Sequence, residues 1–361
     1  MPERLLLGPG PCNVSDEVRA ALARPLVGHL DPAFLALLDE LQGQLLQVFR
    51  AAEGSLAMPI SGTGSAGMEA CLVNLLEPGD RLLVAVNGVF GERMATIGER
   101  SGARVQRVEA EMGEIVPPER LVAEIEERRP DVVALVHAET STGVAQPVIE
   151  VARAARAAGA LVVLDCVTSL SGMDVCMADW QVDAAYSATQ KCLACPPGLS
   201  PLALGPRALE RLEARRRPVQ SWYLDLSLIG RYFGEKRVYH HTAPISMVYA
   251  LYVALARVLA EGLEARFARH RAAHARLVAG LEPLGFRMLV PPQHRLPMLC
   301  AVVPPIADEA AARRRLLDEH GIEIGGGLGK LAGRVWRIGL MGENARPEIV
   351  DRLLAALRSL L

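Results

Sequence analysis

Lysine is the scarce residue of this chain. Of 39 lysines and arginines, only Lys191, Lys236 and Lys330 are lysines, so chemistry that needs a primary amine has just these candidates. An excess of one charge is missing as well. The 39 basic and 41 acidic residues leave a net charge of −2, which gives nucleic acid or an acidic membrane surface nothing to hold. The densest basic run, Arg215-Arg216-Arg217, reads as a solvated helix end. No apolar run approaches the ~18 residues of a membrane span, and the first residues lack a secretory apolar core. The closing Ser359-Leu360-Leu361 is not a peroxisomal address. The seven cysteines are odd in number and lack paired zinc spacing, which argues for a reduced compartment and against a disulfide framework. A soluble cytoplasmic protein, with no nucleic-acid or membrane partner, is the expectation.

What remains is globular: 361 residues, 51% hydrophobic and 22% charged, enough for a large core and more than one domain. Gly8-Pro9-Gly10-Pro11 makes residues 1–15 an arm that can be neither helix nor strand for long. Ser15 or Asp16 caps a first helix, and leucines at helical spacing mark a second from Phe34 to Phe49. From about residue 55, apolar runs alternate with helical stretches. The predicted strands are Leu56–Ile60, Arg81–Val86, Arg104–Val108, Val132–His137, Leu161–Leu164, Ala184–Ser187 and Ser200–Leu204. This alternation predicts an α/β fold with a mainly parallel sheet covered on both faces. Trp222 to His241 reads as less regular, and a long helical pattern to Leu281 breaks near Gly262. A smaller α/β lobe follows.

The chemistry centres on residues 161–191. One apolar run ends in Asp165 and the next leads to Lys191. In open α/β sheets, ligands bind beyond the carboxyl ends of the strands, so acid and amine would share a crevice. Pyridoxal phosphate needs such a pair, a lysine for its aldehyde and an anion for its ring nitrogen. A strand-end salt bridge is the other reading.

Gly62-Thr63-Gly64-Ser65-Ala66-Gly67 follows a strand and opens a helix. It matches the dinucleotide glycine pattern, but the acidic residue expected after the next strand is replaced by Asn87-Gly88, which weakens a nicotinamide-dependent dehydrogenase. One phosphate at a helix N-terminus fits better; a plain turn is the alternative. Phe90, at an exposed tip, could stack on a flat ring or belong to the core. Thr140 could reach a ring substituent or serve a turn. Arg337, alone in an apolar strand, suits a carboxylate or a structural ion pair. His240 and His241 point apart on an extended chain and lack a third ligand, so no metal is expected. Cys192 and Cys195 form a C-x-x-C, but the two prolines behind it and adjoining Lys191 weaken a redox reading. Near Gly329-Lys330 the spacing of a nucleotide P-loop fails.

In order along the chain, Leu6-Leu7-Gly8-Pro9-Gly10-Pro11, Ser61-Gly62-Thr63-Gly64, Asn87-Gly88, Ser141-Thr142-Gly143-Val144, Asp165, Gln190-Lys191, Tyr239-His240-His241-Thr242 and Arg337-Ile338-Gly339-Leu340-Met341-Gly342 resemble the class V pyridoxal-phosphate aminotransferases. The alanine–glyoxylate and serine–pyruvate branch is the nearest. The resemblance implies a fold-type I transferase with a homodimeric shared site, and it places an arm at 1–15, a large cofactor-binding domain at 16–262 and a small C-terminal domain at 263–361. It makes Lys191 the cofactor lysine and Asp165 the partner of the ring nitrogen. Thr63, Gly64, Ser65 and Gln190 match phosphate contacts, and Thr140 and Val167 match ring contacts. Tyr239 and Thr242 match residues that reach the phosphate from the neighbouring subunit. Phe90 stands where animal enzymes stack a Trp, and Arg337 matches the binder of the substrate α-carboxylate. Gln190 replaces the His of the related cysteine desulfurases, which favours transamination. The implied reaction is ping-pong transfer from alanine or serine to glyoxylate or pyruvate; an aminophosphonate or another amine donor is the alternative.

Overall fold

A computed structural model describes residues 2–234 and 236–361. Its centre is a seven-stranded sheet. From edge to edge the strands are Leu56–Ser61, Leu199–Leu204, Ala184–Tyr186, Leu161–Asp165, Val132–Val136, Arg81–Val86 and Arg104–Glu109. The sheet is parallel except for Leu199–Leu204, which runs against both neighbours. Val132–Val136 and Leu161–Asp165 are buried along their whole length, as continuous apolar runs with helices on both faces require.

The helices begin where the chain supplies caps. Ser15 Oγ accepts the Val18 N–H, and Asp31 accepts the Ala33 N–H at 2.8 Å ahead of Pro32–Phe49. Each bond satisfies an otherwise orphaned donor, worth about 1 kcal/mol. The buried face of Pro32–Phe49 is Phe34, Leu38, Leu41, Leu45, Val48 and Phe49, which joins the core under the large sheet. Trimming one such leucine to alanine costs about 2–5 kcal/mol. The segment 222–241 is more regular than its composition predicts. It holds a helix, Leu226–Phe233, with Asp225 accepting from Ser227 N at 2.9 Å.

A second sheet has the order Arg287–Met288, Leu299–Val303, Trp336–Gly339, Gly325–Gly326. It gathers its own core around Trp336, Ile338, Leu316 and Leu353. The arm joins this core, for Leu5 and Leu6 pair in parallel with Ile322 and Glu323, and Leu7 is fully buried. Gly339 N donates to Leu7 O at 2.8 Å. Further along the arm, Cys12 N donates to Gln190 O at 3.2 Å, so the arm runs from the second sheet to the turn beyond Ala184–Tyr186. The long helical pattern divides at Gly262 (φ +83°) into Ile245–Glu261 and Leu263–Leu281. No single helix among the described residues is long and apolar enough to cross a membrane.

Candidate active site

Asp165 ends its strand in register with Val136 on one side and Tyr186 on the other. Its Oδ2 accepts the Tyr186 hydroxyl at 2.7 Å and its Oδ1 the Val167 N–H at 2.8 Å. Burial pushes the carboxyl up to about 6, against the pull of those two hydrogen bonds. A cationic ring nitrogen beside it would restore the ionised form.

Lys191 lies in the turn beyond Ala184–Tyr186 and is only 9% exposed. Burial, with the charge of Arg337 adding to it, lowers its ammonium to about 8. Nζ donates to the Pro9 carbonyl. The backbone comes this close because residue 10 is glycine: its φ is +103°, and a Cβ there would lie 2.7 Å from Nζ.

The chain leaves Leu56–Ser61 through Gly62 (φ +139°) and enters the helix Gly64–Leu75. Thr63 sits at the cap position but makes no side-chain cap bond, so the first turn keeps donors for a ligand. The helix start is pressed against the wall: a Cβ on Gly64 would lie 2.9 Å from Val167 Cγ2. Gln190 Oε1 is buried without a partner. An amide whose flip would turn its Nε2 donors on a phosphate, an uncapped helix start, a depressed lysine and a raised aspartate together fit pyridoxal phosphate.

Thr63, Gly64, Ser65, Phe90, Thr140, Asp165, Val167, Gln190 and Lys191 line one cleft. Arg337 adjoins it through backbone carbonyls, with Nη1 3.2 Å from Thr140 O and Nε 2.7 Å from Gly326 O. Tyr239 and Thr242 are exposed and absent from the cleft of their own chain; the Tyr239 ring lies 5.1 Å from that of His29. His240 and His241 do not point apart as an extended chain would make them: their rings meet Nδ1 to Nδ1 at 2.7 Å, and His241 Nε2 meets Ser61 Oγ at 2.8 Å. Cys192 and Cys195 are buried free thiols, and burial pushes Cys192 up to about 11, far from reactive-thiol conditions.

Four residues that hold the site together carry little signature of it in the sequence. Tyr186 ends the strand next to that of Asp165, a parity visible in the sequence. Pro9 and Gly10 reach Lys191 only through the fold. Glu139, fully buried, accepts from Phe90 N at 3.0 Å, Gly91 N at 3.4 Å, Ser141 N at 3.0 Å and Ser141 Oγ at 2.6 Å. It fixes the start of the helix Val89–Arg100, and with it Phe90, against the loop that carries Thr140. Gly88 allows this approach, since a Cβ there would lie 2.3 Å from Glu139 Cγ. The Glu next to Thr140 was the available signal.

A lysine and an aspartate meeting at strand ends beside a phosphate-ready helix, on a mostly parallel sheet, define a fold-type I pyridoxal-phosphate enzyme. The chain belongs to the class-V aminotransferase family, whose model, Aminotransferase class-V, matches residues 17–346. It is an aminotransferase, and its cofactor is pyridoxal phosphate.

The chain is 38% identical over 379 residues to the (S)-ureidoglycine–glyoxylate transaminase of Bacillus subtilis, covering 100% of this chain and 91% of that protein. It is likewise 38% identical to the alanine–glyoxylate aminotransferase of Drosophila melanogaster, covering 99% and 92%. Among solved structures, an alanine–glyoxylate aminotransferase from Nostoc sp. superposes with a TM-score of 0.96 at 48% identity, over 100% of this chain and 96% of that one.

Proposed function

We propose that the enzyme transfers the amino group of a small amino acid, alanine or serine, to glyoxylate or pyruvate by a ping-pong mechanism. The observation that carries this reading is the placement of Arg337 within 3.2 Å of Thr140 O, at the edge of the cleft that holds Lys191 and Asp165. A guanidinium there suits one carboxylate, held bidentately. The alanine–glyoxylate relatives support the donor and acceptor. Ureidoglycine is a second donor to test, favoured by the whole-length likeness to the Bacillus subtilis enzyme.

Bound pyridoxal phosphate supplies an aldehyde for the amine and a ring that takes up the electrons released at the substrate Cα. Lys191, lowered to about 8, keeps a neutral fraction able to accept the Cα proton and return it elsewhere. Asp165, held by the Tyr186 hydroxyl, would keep the ring nitrogen cationic, and Phe90 and Val167 line the cleft that would take the ring. Gln190, Thr63, Gly64 and Ser65 would hold the phosphate. Arg337 would orient the substrate carboxylate.

We read the enzyme as a cytoplasmic homodimer in which Tyr239 and Thr242 complete the partner's phosphate site. Their exposure in a single chain supports this. Residues 16–262 and 263–361 are read as its large and small domains, in line with the two larger hydrophobic cores. The test is a spectrophotometric half-reaction screen. Alanine or serine should bleach the visible band and glyoxylate or pyruvate should restore it; inert behaviour with these donors and acceptors refutes the reading.

A further inference from the structure

The phosphate of the cofactor carries about −1.5 to −2 charges at neutral pH, by analogy with a phosphorylated side chain. The cleft lining offers it little positive charge. Among the described residues its only ionisable side chains are Lys191, committed to the aldehyde, and Asp165, an acid. The helix start at Gly64 contributes roughly half a charge.

A cation stands just outside. Arg93 lies on the helix that carries Phe90, one turn further on. Its Nη1 donates to Ser65 Oγ at 2.9 Å, and its Cζ sits 4.9 Å from the centre of the Phe90 ring. Arg93 forms no ion pair among the described residues, so its charge is uncommitted. The ring face holds the guanidinium in place. The direction of the Ser65 bond matters most: because Oγ accepts from Arg93, its own hydrogen is free to donate. Ser65 is the second residue of the uncapped helix Gly64–Leu75, so that donor belongs to the phosphate cradle.

We propose that Arg93 is a positioning residue for the cofactor phosphate. It polarises the Ser65 hydroxyl toward the phosphate and adds the missing positive charge at the outer rim. The cation–π contact with Phe90 serves to fix Arg93. This rests on the reading of Ser65 as a phosphate contact, given above.

The test compares Arg93→Gln, Ser65→Ala and the double variant. Apoprotein is titrated with pyridoxal phosphate, and separately with pyridoxal, which lacks the phosphate. Arg93→Gln is expected to weaken pyridoxal phosphate about tenfold, the scale of one charge-assisted bond, and pyridoxal less than twofold. Its dissociation constant should depend less steeply on sodium chloride than that of the wild type. In the double variant the two losses should not add, because Arg93 acts through Ser65. Unchanged pyridoxal-phosphate affinity in Arg93→Gln, or equal losses for both ligands, overturns the proposal. If the wild type itself binds the two ligands equally, the error lies instead in placing the phosphate at this helix. Arg93 is exposed, and an unchanged near-ultraviolet spectrum of the variant will show an intact fold.

Discussion

Asp165 and Tyr186 face each other across two parallel strands, and the tyrosine hydroxyl donates to the carboxylate at 2.7 Å. The bond does two things at once. It orients Oδ2, and it opposes the burial that raises the carboxyl to about 6. In the cofactor-free protein Asp165 therefore resists ionisation, while the unfolded chain ionises near the usual value of about 3.9. Between these limits the folded state binds more protons than the unfolded one, so stability falls as pH rises. Asp165 should therefore contribute a loss of about 3 kcal/mol between about pH 4 and pH 6, read as the difference in urea unfolding between wild-type and Asp165→Asn apoprotein. Asp165→Asn should remove that contribution. An Asn variant with the wild-type slope would show that other groups cause it.

Tyr186→Phe tests the same contact from the other side. Removing a hydrogen bond to a charged group costs about 1.5–3 kcal/mol, and here the loss falls on the ionised carboxylate. The apoprotein should lose stability chiefly above pH 6, and affinity for pyridoxal phosphate should fall because the ring nitrogen loses a well-oriented anion. Equilibrium dialysis measures the second effect. A variant that binds the cofactor like the wild type would limit Tyr186 to packing.

Lys191→Ala should abolish the visible band of the purified protein. Turnover should fall by at least about 10²–10⁴-fold, the usual contribution of a positioned acid–base group. The scarcity of lysine makes the experiment clean, for Lys236 and Lys330 do not line the cleft. Full turnover in the variant would remove the assignment.

What could be read before folding was whatever depends on local pattern. Val132–Val136 and Leu161–Asp165 announce themselves as buried runs, and Gly62–Gly64 as a strand-to-helix turn. The direction of Leu199–Leu204 was hidden, since an apolar strand buried on both faces reads alike in either sense. The helix at Leu226–Phe233 was masked by the Trp, Tyr and His residues around it. Glu139 and Pro9 were missed for a different reason. Each acts through partners remote in sequence: Glu139 binds Phe90 49 residues away, and Pro9 binds Lys191 at a separation of 182. Residues whose type suggests chemistry were visible, and residues that act by holding a remote backbone or side-chain partner were not.

Arg337 spends two of its donors on backbone carbonyls at Gly326 and Thr140. These bonds fix the guanidinium without neutralising it. Arg337→Ala should raise KM for amino and keto acids by about 10²-fold, as loss of a charge-assisted pair predicts, and should leave cofactor affinity within about threefold. Steady-state kinetics and cofactor titration separate the two. A larger loss of cofactor than of substrate would move Arg337 out of substrate recognition.

Gly10 combines a φ of +103° with a site where a Cβ would lie 2.7 Å from Lys191 Nζ. Gly10→Ala therefore meets two penalties. The backbone strain is about 1–3 kcal/mol, and the arm, paired with Ile322–Glu323 through Leu5–Leu6 and with the second sheet through Leu7 O, has little room to retreat. Relief must come from Lys191, whose amine would be pushed away from the Pro9 carbonyl. The expected outcome is a slower rise of the visible band when apoprotein is mixed with pyridoxal phosphate, together with a lower kcat. KM should change little, because Arg337 is untouched. Stopped-flow absorbance measures the first effect, and wild-type kinetics in the variant would show that the arm leaves the lysine free.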